Sequence, residues 1–167
     1  MFAKMLTFEW RYYTRQPSFY VTSLIFFLLP FFAMVSENVR IGGGGNVLYN
    51  SSYAISQTML VMSIFAMFLV VNFIATTATR NDSTQMSEIL YSKPIKPFAY
   101  QMGRFTGAYL LILTVFAMVP LGTLIGSLMP WVDSERLGPT NLGFYITTFV
   151  YFSVPTLFVL SCLFYAV

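Results

Sequence analysis

Few residues in this chain can do chemistry, and their types narrow that chemistry to ionic pairing and partner binding. There is no histidine and one cysteine, Cys162. Zinc ligation and a Ser–His or Cys–His nucleophile pair cannot be assembled from such a set. Gly42 to Gly45 is glycine-rich but lacks the Gly-Lys-Ser/Thr ending that cradles phosphate, so it reads as a flexible loop. No catalytic residue, metal ligand or resident cofactor is assigned, and the chain is not expected to be an enzyme. Two charged clusters remain. Lys4, Glu9, Arg11 and Arg15 lie near the N-terminus, and Arg80, Asp82, Glu88, Lys93, Lys96 and Arg104 share one later segment.

The elements that carry these clusters follow from where charge is missing. Only 9% of the chain is charged while 57% is hydrophobic and 19% aromatic, far from the roughly one quarter charged residues of a soluble domain. All charges fall in residues 1–15, 37–40, 80–104 and 133–136, leaving uncharged runs of 21, 39, 28 and 31 residues between and after them. About 20 residues of helix cross a hydrocarbon core of about 30 Å. The runs are continuously apolar rather than alternating, and lipid offers backbone groups no partner, so they must be helices. The fold expected is all-α and polytopic, with spans near 18–36, 56–79, 106–129 and 144–166. Residues 1–17 form a separate interfacial helix, and 18–167 form the transmembrane domain.

Basic residues resist translocation, so their distribution orients the spans. Lys4, Arg11 and Arg15 precede the first span, and Arg80, Lys93, Lys96 and Arg104 lie between the second and third; the opposite loops hold only Arg40 and Arg136. The N-terminus and the 80–104 loop are therefore expected in the cytoplasm. The net charge of +3 is a topology signal and does not call for nucleic acid.

On a helical wheel, Lys4, Arg11 and Arg15 fall within a wedge of about 40°. Phe2, Met5, Leu6, Trp10 and Tyr13 take the other side. This pattern suits a helix in the headgroup layer, its basic wedge toward anionic lipid or water. Glu9 sits in the middle of the apolar side. Two readings are open for it: an ion pair with a basic residue of another element such as Arg104, or a carboxylate snorkelling to water.

In the loop of residues 80–104, Asp82 can cap a helix with Gln85 three positions on, and Met86, Ile89 and Leu90 recur on one face. Lys93-Pro94 and Lys96-Pro97 stop it, because a residue before proline is pushed out of the helical region. Pro97 can then open a new helix that runs through Arg104 into the third span. The short amphipathic helix needs somewhere to bury its apolar face. The headgroup layer and a groove on a cytoplasmic protein are both open.

The stretch Glu88-Ile89-Leu90-Tyr91-Ser92-Lys93-Pro94-Ile95, shortly before Gly103-Arg104-Phe105, resembles the coupling-helix loop of type-two ABC exporter permeases. Glu9-Trp10-Arg11-Tyr12-Tyr13-Thr14-Arg15-Gln16-Pro17 looks like the connecting helix that precedes the first span in the same family. The resemblance implies that Met86, Glu88, Ile89, Leu90 and Pro94 are docking and turn positions for a separate ATPase, which would bind ATP and Mg. It also implies a second permease half as partner and a bacterial inner-membrane location. In place of the Gly-Thr that precedes the run in that family, this chain has Gln85-Met86.

Gly42 to Asn46, Ala54-Ile55-Ser56-Gln57-Thr58, Met129-Pro130-Trp131 and Leu137-Gly138-Pro139 are similar to the bacterial subgroup whose permease is fused to a C-terminal zinc aminopeptidase-like domain. Such a domain needs a His-Glu-x-x-His site, and the chain has no histidine. With the apolar end from Val154 to Val167, this leads to the expectation of the first four spans of a six-span half. A membrane anchor that recruits a cytoplasmic partner, or the anchor of a metallopeptidase lying outside the chain, are the alternative functions.

Within the spans, Gly103-x-x-x-Gly107 and Gly122-x-x-x-Gly126 permit close helix approach, and Asn72 is expected to bond between helices. Pro30, Pro120 and Pro155 are expected to kink their helices. Cys162 is expected to be a buried, inert thiol. Asn50-Ser51-Ser52 and Asn81-Asp82-Ser83 match a glycosylation pattern short enough to recur by chance. No Asp, Glu, Lys, Arg or His lies inside a span, which argues against a proton-coupled carrier.

The orientation has a direct test. In a Cys162→Ser background, Gly43→Cys should label from outside intact cells with an impermeant maleimide, and Lys93→Cys should not. External labelling of Lys93→Cys would overturn the topology.

Overall fold

A computed structural model describes residues 2–36, 41–42, 44, 46–77, 97–132 and 134–166. Every regular element among them is helical. In chain order these are α1 (Phe2–Tyr13), α2 (Pro17–Val35), α3 (Ser52–Val70), α4 (Pro97–Phe116), α5 (Met118–Ser127), α6 (Leu142–Thr148) and α7 (Val154–Ala166). A π-helical turn, Val71–Ala75, extends α3, and another, Phe149–Ser153, joins α6 to α7. Four helical stretches are long and apolar enough to cross a membrane: Pro17–Val35, Ser52–Ala75, Phe98–Ser127 and Leu142–Ala166. The chain is an all-α polytopic membrane protein.

The helix starts have local causes. Pro17 occupies the first position of α2, where its missing N–H costs nothing. The Ser51 hydroxyl accepts from the Ala54 N–H at 3.3 Å and starts α3 four residues earlier than the apolar run suggested. The Asn141 side chain accepts from the Gly143 N–H at 2.9 Å and starts α6.

The largest boundary difference is at the third span. The sequence expectation placed its start near 106, beyond the charge of Arg104, whereas the helix qualifies as a span from Phe98. Arg104 is buried on an acidic partner, so its charge does not mark a water boundary. Thirty residues of helix reach about 45 Å. That exceeds the hydrocarbon thickness, so this helix must tilt, kink or extend past it.

Prolines act where the helical ladder can absorb them. Pro120 would strip the bond to the Phe116 carbonyl, and the helix breaks between α4 and α5 at Ala117. Pro155 lies two residues after the π-helical turn at Phe149–Ser153, whose wider ladder accommodates it. Pro30 is tolerated inside an unbroken α2.

The second and third spans are central and the first and fourth peripheral. The core joins Ile55, Met59, Met62, Ala66, Leu69 and Phe73 to Leu111, Ile112, Val115 and Phe116, with Leu157 from the fourth span. Cys162 is exposed, contrary to the buried thiol expected from its apolar surroundings. Only Leu157 and Ser161 of α7 are buried, and Cys162 lies on the outward face of a peripheral helix. Asn72 does reach another helix, donating to the Ser18 hydroxyl of α2 at 3.4 Å.

Away from α1, the loops before α3 and before α6 clasp each other. The Asn50 amide donates to the Gly138 carbonyl at 2.6 Å and its Oδ1 accepts from the Gly138 N–H at 2.8 Å. Arg136 donates to the Tyr49 hydroxyl at 3.1 Å. Asn50 is thus buried with both ends of its amide engaged, which leaves no room for a glycan at that site. Asn81 lies outside the described residues.

The two glycine pairs lie on different seams. Gly122 and Gly126 of α5 face α2: a Cβ at Gly122 would strike the Phe27 carbonyl oxygen, and one at Gly126 would come within 2.9 Å of the Met34 Cβ. The Met34 Cβ is as fixed to its backbone as the Phe27 carbonyl is, but the overlap at Gly126 is smaller. Gly122→Ala is expected to destabilise the α2–α5 seam by about 1–3 kcal/mol and Gly126→Ala by less. Gly44→Ala, with open space around it, should be near neutral in the same detergent-unfolding assay.

Candidate functional site

The two charged clusters identified in the sequence meet where α1 lies along the start of α4. A Cβ on Gly103 would approach the Met5 Cβ to 3.0 Å, and one on Gly107 would approach the Glu9 Cβ to 2.8 Å. The second small-residue pair therefore admits the N-terminal helix, rather than another membrane span. Between these contacts, Arg104 Nε lies 3.3 Å from Glu9 Oε1, with the side chains 3% and 0% exposed. The contact is ionic; Arg104 Nε is not aligned for a hydrogen bond to the carboxylate. Arg104 Nη2 donates instead to the Thr77 carbonyl, and its guanidinium sits 5.5 Å from the Tyr100 ring centre.

Tyr13 completes the arrangement. It stands four positions after Glu9, hence on the same helical face. Its hydroxyl lies 2.6 Å from the Thr77 hydroxyl and 3.2 Å from the Phe73 carbonyl, to which it donates. Its ring meets that of Phe73 edge-on at 5.3 Å. Thr77 also donates to the Phe73 carbonyl at 2.7 Å, the kind of back-bond that bends a helix end. Thr77 is the last described residue before the loop, and Arg104 lies on the helix that follows it. Glu9, Tyr13, Arg104 and Thr77 thus pin the N-terminal helix to both helices between which the loop hangs.

The sequence-predicted residues divide into three groups. Glu9 and Arg104 are brought together and buried, so the pairing reading of Glu9 holds and the snorkelling one does not. Lys4, Arg11 and Arg15 are exposed on α1 and the turn after it. Met86, Glu88, Ile89, Leu90 and Pro94 lie outside the described residues. The apolar side of α1 does not face lipid alone: Met5 and Leu6 press on α4, and Tyr13 on the end of the second span. Sequence reasoning missed the roles of Tyr13 and Thr77. The spacing of Tyr13 from Glu9 was a usable signal; Thr77, one hydroxyl among several in its span, carried none. Among the described residues no group of His, Cys, Asp or Glu could hold a metal ion.

A buried carboxylate or guanidinium deprived of its partner costs about 3–5 kcal/mol, whereas replacing both can be neutral. Glu9→Ala should therefore lower stability by that order in a detergent-unfolding experiment, and Glu9→Ala with Arg104→Leu should recover most of it. Tyr13→Phe should cost about 1 kcal/mol. A Glu9→Ala variant as stable as the parent would show that the pair holds nothing.

The chain matches no protein-family model, no curated protein and no solved structure.

Proposed function

We propose that the chain is the permease component of an ATP-driven transporter, of the type-two ABC exporter kind, coupled to a separate ATPase through the 80–104 loop. The observation that carries this reading is the four-residue clamp around that loop. Thr77 on the helix before it and Arg104 on the helix after it bond to each other, and both are held by α1 through Tyr13 and Glu9. A partner that displaces the loop therefore moves the second span, the third span and α1 together. A loop serving only as a tether would not need its two ends bonded through an arginine whose charge is buried against α1.

In this reading the loop docks on the ATPase, with Met86, Glu88, Ile89, Leu90 and Pro94 as the docking and turn positions. The ATPase binds ATP and Mg and performs the hydrolysis, and a second permease half completes the pathway. The membrane is the bacterial inner membrane, with the N-terminus in the cytoplasm. The motif resemblance supports these details, and the exposed outer faces of the first and fourth spans leave surface for a second half or for lipid.

Ile89→Asp or Leu90→Asp should abolish copurification of an ATPase encoded beside this chain while membrane insertion stays intact. Retained copurification in both variants would remove the docking assignment. The paired Glu9→Ala, Arg104→Leu variant should still bind the ATPase but lose ATP-dependent transport, because docking survives while the clamp does not.

A further inference from the structure

We infer that a cavity beside the N-terminal helix is a binding site for the phosphate headgroup of an anionic phospholipid. The cavity has a volume of about 330 Å³ and is lined by Phe8, Arg11, Tyr12, Arg15 and Gln16. Two guanidinium groups four positions apart line it, and among the described residues no carboxylate does. Arg11 and Arg15 are exposed, and among the described residues neither forms an ion pair. They differ in this from Arg104, whose charge is spent on Glu9. Glu9, the acid of the same helix, is buried against α4 and is absent from the cavity lining.

A helix end adds to the positive field. Gln16 is the N-cap residue of α2, its side chain makes no capping hydrogen bond, and Pro17 supplies no N–H at the next position. The N-terminus of a 19-residue helix is thus left uncapped at the edge of the cavity. Its partial positive charge favours an anion. Guanidinium groups match a phosphate bidentately.

Depth selects the lipid over a soluble anion. Pro17 begins a membrane-spanning stretch, so Arg15 and Gln16 stand where hydrocarbon gives way to headgroups. The Phe8 and Tyr12 rings, stacked with centroids 6.2 Å apart, supply an apolar wall of the kind that sits at this level. A free phosphate would use the arginines alone. A phospholipid uses both, with phosphate on the arginines and glycerol and upper acyl chain along the rings. The site does not depend on the transport reading above.

The test uses the full chain with Trp131→Phe, which leaves Trp10, adjacent to Arg11, as the sole indole. In phosphatidylcholine vesicles, dibrominated phosphatidylglycerol should quench Trp10 at a lower mole fraction than dibrominated phosphatidylcholine. A basic residue near an anionic surface contributes about fivefold in affinity. Arg11→Gln with Arg15→Gln should therefore bring the two lipids to near equality, while Lys4→Gln, outside the cavity, should keep most of the preference. Circular dichroism identifies any variant that fails to fold. Equal quenching by the two lipids in the parent, a preference unchanged in the double variant, or equal loss in Lys4→Gln would overturn the site. Displacement of the brominated lipid by excess inorganic phosphate would overturn its assignment to lipid.

Discussion

A carboxylate and a guanidinium held out of water are tolerable only in each other's company, and the Glu9–Arg104 pair imposes that condition on everything around it. For Arg104 to reach Glu9, α1 must lie against the first turns of α4, and only glycine at 103 and 107 lets the two backbones come close enough. Once there, Arg104 still has donors to satisfy. The Thr77 carbonyl at the end of the second span takes one. The position of three helices thus follows from the need to leave no buried charge unmatched.

The membrane places a second constraint on the same helices. Every backbone bond must be made within the segment, so breaks in the ladder are confined to places where the chain can repair them. The break near Ala117 and the π-helical turn before Pro155 are such repairs. At the far end, the Asn50–Gly138 and Arg136–Tyr49 contacts hold the connecting loops together with ordinary hydrogen bonds. The two ends are therefore built differently. One relies on hydrogen bonds between loops, and the other on a buried charge pair that fastens α1 to α4 and whose arginine also bonds the end of the second span.

This asymmetry gives the charged residues of α1 separate tasks. Glu9 and Tyr13 point inward and fasten the helix to the bundle. Arg11 and Arg15 remain outside, beside the uncapped start of α2. The helix is thus fixed to the protein on one side and keeps its basic residues exposed on the other.

Much of the architecture was legible in the amino-acid sequence, because the physics of spanning a bilayer depends on local composition. Uncharged stretches of 21 residues or more have one stable state in lipid, and prolines and caps mark their ends through short-range sterics and hydrogen bonds. The amphipathic pattern of residues 2–13, with one acid on the wrong side, also signalled that Glu9 needed a partner. Which partner it took was not encoded locally, since Glu9 and Arg104 are far apart in the chain and nothing between them sets their separation in space. The same holds for Gly107, which reads as a site for another span and instead receives the N-terminal helix, and for Cys162, whose outward direction depends on how the fourth span packs. The sequence by itself determined how many helices cross the membrane and roughly where each begins. Only the tertiary structure decided which faces meet, because close packing and the pairing of buried charge depend on residues brought together by the whole fold.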